Sequence, residues 1–215
     1  MATVLYITAH PRDDERSYSM TVGREFLQVY RSTHPQDEVV HLDLFKLDLP
    51  QHDGDVLDAR DKLRQGVSFD QLTPAEQSKL GRIFQVLEQF IAADKYIFVS
   101  PIWNFSYPTV MKNYLDAIVL PGKTVKYNSD GSRTVVLGGK KAVHIQASGS
   151  ILSPGSGGTY EDCEMGHRHI KAILNFLGVT DFQGIFVEGM QEFANRAEEF
   201  KEKALREARQ VAEIF

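Results

Sequence analysis

The chain has 215 residues, 29 acidic and 24 basic, for a formal net charge of −5. A chain of that length suits one domain, residues 1–215, and can bury roughly 70% of its unfolded surface without disulfides or a structural metal. Its 42% apolar and 25% charged residues exclude a disordered composition. The scattered Lys and Arg argue against nucleic acid, and no apolar run nears the ~20 residues of a membrane span.

In chain order, Thr3–Thr8 is a β-rich run. The start, Met1 to Ile7, lacks a basic leader and reads as this first strand, not a signal peptide. A loop follows from Ala9, with the charge run Arg12 to Arg16 read as solvated, and a helix is expected from about Met20, capped by Ser17 or Ser19. Val39–Leu42 is the second strand. Leu49 to Leu72 is long and polar, with room for a short helix over Asp55 to Gly66. Thr73-Pro74-Ala75-Glu76 is a capping box with proline in the first helical position. The helix it opens presents Leu80, Ile83, Phe84, Leu87, Phe90 and Ile91 on one face.

Lys95–Pro101 is the third strand, followed by an aromatic loop to Pro108. Between Val119 and Gly139, Asn128-Ser129-Asp130-Gly131 joins Thr124–Tyr127 to Arg133–Leu137 as a hairpin. Lys141–Gln146 is the fourth strand of the main series, and a Ser/Gly-rich stretch then runs to Gly158, its glycines suggesting mobility. Ile170, Ile173, Leu174 and Leu177 mark a helix that ends at Gly178, where a left-handed cap belongs. Asp181–Val187 is the fifth strand, and the last helix spans about Asn195 to Ile214, with Glu199 four residues before Lys203. Five strand–helix alternations with near-continuous apolar strands predict an α/β fold, a parallel sheet between two helical layers.

In such a sheet, ligands bind beyond the carboxyl ends of the strands, where strand order reverses. Three loops lie there. Ser17 and Ser19 at a helix start offer hydroxyls and backbone N–H groups to an anion, although simple capping explains them as well. Ser100 to Pro108 packs two prolines, three aromatics and Asn104 into nine residues, with the only tryptophan, Trp103, in a turn. Such a stiff aromatic loop suits a planar ligand better than it completes a core. Ala147-Ser148-Gly149-Ser150 lets backbone approach a ligand closely.

Other motifs fail. Gly122-Lys123-Thr124 resembles a P-loop tail, but Ala117 stands where its first glycine belongs. No G-x-G-x-x-G follows the first strand, which disfavours a Rossmann dehydrogenase. Cys163, His167 and His169 lack a fourth ligand, so no metal site is expected, and His144 reads as a hydrogen-bonded core histidine. Ser148 and Ser150 have no His–acid partners at hydrolase spacing. A single cysteine, Cys163, points to a reducing cytoplasm.

The loops together resemble a known family. Thr8-Ala9-His10-Pro11 with Ser17-Tyr18-Ser19, Pro101 to Pro108 with Lys112-Asn113-Tyr114-Leu115-Asp116, Gly122-Lys123-Thr124 with Tyr127, and Glu164 to Arg168 with Gly184 to Gly189 are similar to the FMN-dependent NADH-azoreductases. These belong to the NAD(P)H:quinone oxidoreductase superfamily. The resemblance implies a flavodoxin-like fold, strand order 2-1-3-4-5, and a homodimer with flavin sites at the interface. It implies that Ser17, Tyr18 and Ser19 hold the phosphate of non-covalent FMN, with His10 lining the same loop. Pro101, Ile102, Trp103, Asn104 and Phe105 would flank the isoalloxazine ring. Ala147, Ser148, Gly149 and Ser150 fall where family members often carry Ser/Ala-Arg-Gly-Gly at the pyrimidine edge, so serine replaces the arginine and the second glycine. NADH or NADPH would be the donor, with quinones and azo compounds as acceptors in a ping-pong cycle and no catalytic side chain singled out. The alternative is a flavodoxin-type FMN electron carrier, for which −5 over the chain is a modest charge.

Overall fold

Val4 and Tyr6 point to one side of the first strand and Leu5 and Ile7 to the other, and all four are buried. That two-sided burial is the mark of a central parallel strand, and it organises the molecule. The computed structural model describes residues 1–12 and 16–215. Its main sheet has five parallel strands: β1 (Thr3–Thr8), β2 (Glu38–Asp43), β3 (Lys95–Pro101), β6 (Lys141–Ala147) and β7 (Asp181–Val187). They lie in the order β2-β1-β3-β6-β7. A separate antiparallel hairpin, β4 (Val125–Tyr127) with β5 (Arg133–Val135), lies between β3 and β6 in the chain. Without the hairpin, the order is the expected 2-1-3-4-5.

Helices α1 (Tyr18–Thr33) and α6 (Ala197–Ile214) cover one face, where Val22, Phe26, Ala204 and Ala208 meet Val4, Tyr6, Ile97 and Val143. On the other, α3 (Pro74–Ala92), α4 (Thr109–Ile118) and α5 (Gly166–Leu177) bring Phe90, Met111, Tyr114 and Leu174 against Leu5, Ile7 and Phe98. Helix α2 (Gly54–Arg64) lies outside α3, burying Val56 and Ala59. Helix α1 sits close on the sheet because residue 23 is glycine. A Cβ there would stand 2.8 Å from Tyr6 Oη and 2.9 Å from Val99 Cγ1.

The punctuation read from the sequence is present. Thr73 and Glu76 form the capping box, and Gly178 ends α5 with φ 101°. Several boundaries and contacts differ. Helix α1 begins two residues before Met20, with Ser17 as its N-cap and Ser19 inside the first turn. Strand β2 is one residue longer at each end, and β5 stops at Val135, two short of Leu137. The last helix starts at Ala197, after a 3-10 turn over Ala194–Arg196. That turn brings Arg196 onto Glu199, at 2.8 and 2.9 Å, so Glu199 pairs backwards rather than with Lys203. Phe84 and Ile91 are only half buried on α3, while Val86 joins the core. The edge strands β2 and β7 are half exposed, unlike the near-continuous burial expected of all five. Of the charge run Arg12 to Arg16, residues 13–15 lie outside the described residues.

Candidate functional site

From β1 the chain crosses to β2 on one side, while β3, β6 and β7 follow on the other. The loops after β1 and β3 therefore diverge and leave a crevice at the carboxyl edge. Backbone bonds carry the sheet into these loops: Ala9 N–H donates to the Val99 carbonyl at 2.9 Å, Ile102 N–H to Ala147 at 2.7 Å and Ser148 N–H to Val187 at 2.9 Å.

A cavity of ≈440 Å³ opens there, lined by His10, Ser17, Tyr18, Pro101, Ile102, Trp103, Ala147, Ser148 and Gly149, together with Arg16, Met190 and Gln191. Nine of the thirteen residues singled out from the sequence thus share one cavity wall. The other four do not. Ser19 lies beneath Ser17, Asn104 and Phe105 form the tip of the aromatic turn, and Ser150 follows the lining residues in the chain, its carbonyl accepting from Ser148 Oγ. Arg16, Met190 and Gln191 were not foreseen; the last two come from the turn after β7, which carries no distinctive motif.

The phosphate-like end is built by α1. The Ser17 and Ser19 side chains are 7% and 0% exposed, with hydroxyls 3.2 Å apart. Ser17 Oγ also accepts from Met20 N–H at 3.4 Å, a long capping bond. The first-turn N–H groups of a helix have no intrahelical partner, so hydroxyls and amides together are able to receive an anion. His10 flanks it. Its Nδ1 accepts from Arg12 N–H at 3.0 Å, and burial lowers its pKa, so the ring is neutral near neutral pH.

The aromatic wall is a two-residue hairpin. Trp103 N–H donates to the Ser106 carbonyl at 2.6 Å, and Ser106 N–H returns a 3.2 Å bond. Its central residues, Asn104 and Phe105, have φ of 51° and 69°. Asparagine tolerates the left-handed region; phenylalanine does so at a cost, so the turn is strained. Met165 N–H holds the tip by donating to the Phe105 carbonyl at 2.9 Å. Trp103 remains 45% exposed, its ring 6.1 Å from His10 and 6.4 Å from Phe45.

The Ser/Gly-rich loop after β6 is pinned by carboxylates, contrary to the mobility its glycines suggest. Glu188 accepts from Leu152 N–H at 2.9 Å, Ser153 N–H at 2.8 Å and Ser153 Oγ at 2.7 Å. Glu161 accepts from Gly155 and Gly157 N–H at 2.6 and 2.9 Å.

Below the cavity, His144 Nε2 lies 3.0 Å from Ser100 Oγ, the core hydrogen bond expected of it. Its ring stacks on His167, 5.6 Å away and 8° from parallel. Burial pushes the His144 pKa well down, and His167 to about 4. Both Nδ1 atoms lack a hydrogen-bond partner. His167 is thereby committed to the core, His169 Nδ1 bonds the Tyr107 hydroxyl, and Cys163 sits in a 3-10 turn before α5. Cys163 and His167 are therefore not on one continuous helix. A larger groove of ≈730 Å³ adjoins the cavity through His10 and runs between α1 and β2, past Arg24 and Arg31.

The model of the flavodoxin-like fold family matches residues 2–212. An FMN-dependent NADH:quinone oxidoreductase of Halalkalibacterium halodurans is 47% identical over 215 residues, covering all of both chains. The crystal structure of an azoreductase from Bacillus anthracis str. Sterne superposes with a TM-score of 0.91 at 33% identity, again over all of both chains. An FMN-dependent NADH-azoreductase from Bacillus anthracis str. Ames Ancestor, in complex with FMN, gives 0.90 at 32% identity over 99% of this chain and 98% of that one. With its strand order, its crevice and this end-to-end likeness, the chain belongs to the flavodoxin-like family, among the FMN-dependent NADH:quinone oxidoreductases.

Proposed function

We propose that this chain is an FMN-dependent oxidoreductase that takes electrons from NADH or NADPH, reduces quinones and cleaves aromatic azo compounds. It works as a cytoplasmic homodimer. The observation that carries the reading is the convergence of three loops on one cavity of ≈440 Å³, within the usual size range of a cofactor site. The residues present fit FMN. Two buried hydroxyls at a helix N-terminus, with Arg16 on the same wall, suit a terminal phosphate monoester. Trp103 and Ser148–Gly149 line the same cavity beyond them.

In this reading Ser17, Tyr18 and Ser19 hold the phosphate, and His10 closes the loop beside it. Pro101, Ile102, Trp103, Asn104 and Phe105 set the position of the isoalloxazine ring, with Ala147, Ser148, Gly149 and Ser150 along its pyrimidine edge. Bound FMN would supply the redox chemistry, a hydride equivalent from the nicotinamide giving two electrons to the acceptor per turnover, so that a quinone takes one turnover and cleavage of an azo bond to two amines takes two. With the half-exposed Trp103 ring on one side, the mouth of the cavity leaves a flavin face on which donor and acceptor would stack in turn, and such positioning makes transfer effectively intramolecular. No side chain here acts as a general base. The Nδ1 of His10 already accepts from Arg12 N–H, which leaves the neutral ring's other nitrogen as a donor; solvent at the open mouth supplies protons to the acceptor.

A one-electron carrier fits less well, because the full-length relatives are oxidoreductases by name. The test is direct. The purified protein should be yellow, release FMN on denaturation, and turn over NADH or NADPH with a quinone and with an azo dye. Bound FAD, or absence of turnover with every donor–acceptor pair, overturns the reading.

A further inference from the structure

The turn after β7 brings a side chain to the cavity that no motif marks. Gln191 lines the wall beside Ser148 and Gly149. Its backbone N–H and that of Glu192 both donate to the Gly149 carbonyl at 2.9 Å. Its carboxamide lies against residue 149, where a Cβ would stand 2.8 Å from Oε1 and 3.1 Å from Cδ, so a larger residue there would displace the Gln191 carboxamide from its place. Glu192 fixes the turn from behind, accepting from Ile151 N–H at 3.1 Å, and Glu188 holds the next two residues of the same loop. The Gln191 carboxamide itself has no hydrogen-bond partner among the described residues. Ser148, where the family resemblance implies an arginine, spends its hydroxyl on the Ser150 carbonyl at 2.7 Å. Gln191 therefore offers that edge of the cavity an uncommitted side chain, with a donor and an acceptor side by side.

We propose that Gln191 reads the pyrimidine edge of the flavin, in place of an arginine at position 148. The inference rests on the FMN reading above. The pyrimidine edge presents C2=O, N3–H and C4=O, an acceptor–donor–acceptor row. A carboxamide matches two adjacent members of that row, its NH₂ donating to a carbonyl and its oxygen accepting from N3–H. Because the reader is neutral, it compensates the negative charge of the reduced flavin less than an arginine would.

The test titrates flavin-free full-length protein with FMN and with N3-methyl-FMN, for wild type, Gln191→Ala and Gln191→Glu. Wild type should prefer FMN over the methylated probe. Gln191→Ala should bind FMN about tenfold more weakly, the worth of two neutral hydrogen bonds, and should lose most of that preference. Gln191→Glu, which keeps the acceptor and loses the donor, should weaken FMN while retaining discrimination against the methyl group. Gln191→Arg should raise the two-electron potential of the bound flavin. An unchanged preference in Gln191→Ala, or a wild type indifferent to the methyl group, overturns the role of Gln191 while the FMN reading stands. Failure of wild type to bind FMN overturns the FMN reading itself. Circular dichroism of each variant separates loss of binding from loss of fold, and the exposure of Gln191 predicts intact folding.

Discussion

Replacing Ser17 and Ser19 together by alanine separates a binding site from a helix cap, because the two roles predict opposite magnitudes. As a cap, Ser17 makes one bond, to Met20 N–H at 3.4 Å, at the edge of hydrogen-bonding range. Its loss belongs at the low end of the capping scale, about 0.5 kcal/mol. Ser19 is fully buried, and its hydroxyl meets Ser17 Oγ at 3.2 Å. Removing both partners at once leaves neither unpaired, so that step is nearly neutral. The flavin-free double variant should therefore lose no more than about 1 kcal/mol in a urea titration. As phosphate ligands, the same hydroxyls make charge-assisted bonds worth about 1.5–3 kcal/mol each, so FMN should bind roughly 10²- to 10⁴-fold more weakly. Backbone donors of the first turn remain, which places the expected loss in the lower half of that range. Flavin fluorescence quenching measures the affinity, and saturating FMN should stabilise the variant less than the wild type. A double variant that loses several kcal/mol without FMN yet binds it unchanged would refute the anion cradle.

Trp103 should fluoresce weakly in holoenzyme and recover when FMN is removed, and initial-rate plots should be parallel, whereas intersecting plots with FMN-independent emission would defeat the shared face. Trp103→Ala should shift FMN affinity or acceptor preference and leave thermal unfolding little changed, since the residue lies in a half-exposed turn. His167 titrates near 4 when folded against about 6.5 unfolded, so its stabilisation is full above pH 6.5 and is lost as pH falls toward 4. Between about pH 8 and about pH 5 this one group should remove about 2 kcal/mol, and His167→Phe should flatten the urea-midpoint profile by that amount; an unchanged profile refutes it. Phe105→Gly should raise the unfolding temperature, because it relieves about 1 kcal/mol of left-handed strain and gives up a side chain already 48% exposed.

What was legible in the sequence is what depends on short-range pattern. The strand runs, the Thr73–Glu76 box and Gly178 depend on neighbours within four residues; the box and Gly178 are where they were expected, and the strands lie within two residues of their expected bounds. The boundary of α1 slipped by two residues because Ser17 and Ser19 are both acceptable caps, and only the packing of Gly23 onto Tyr6 and Val99 sets the helix phase. Glu199 misled for a similar reason: an i,i+4 partner was available on paper, but the 3-10 turn delivered Arg196 first. Gln191 was invisible because it reaches the cavity through a long-range contact, across 42 positions to Gly149. The left-handed Asn104–Phe105 pair was equally hidden, since phenylalanine carries no turn preference of that kind.

Several costs of this structure lie where the function is proposed. The left-handed Phe105, the orphaned Nδ1 atoms of His144 and His167, and the unpartnered carboxamide of Gln191 all lie at or just below the carboxyl edge of the sheet. Elsewhere the core is mostly apolar, the buried and unpartnered Tyr114 hydroxyl being an exception among the described residues. A fold selected for stability alone would relieve the strain at 105 with glycine. Instead Met165 clamps the Phe105 carbonyl, and Glu161 and Glu188 pin the facing loop through five hydrogen bonds. Clamps of this kind hold two walls at a fixed separation before any ligand arrives, which lowers the ordering cost of binding a rigid planar group. The same rigidity explains how a flat ring could be gripped largely by backbone and glycine, leaving one face open for a succession of chemically different partners.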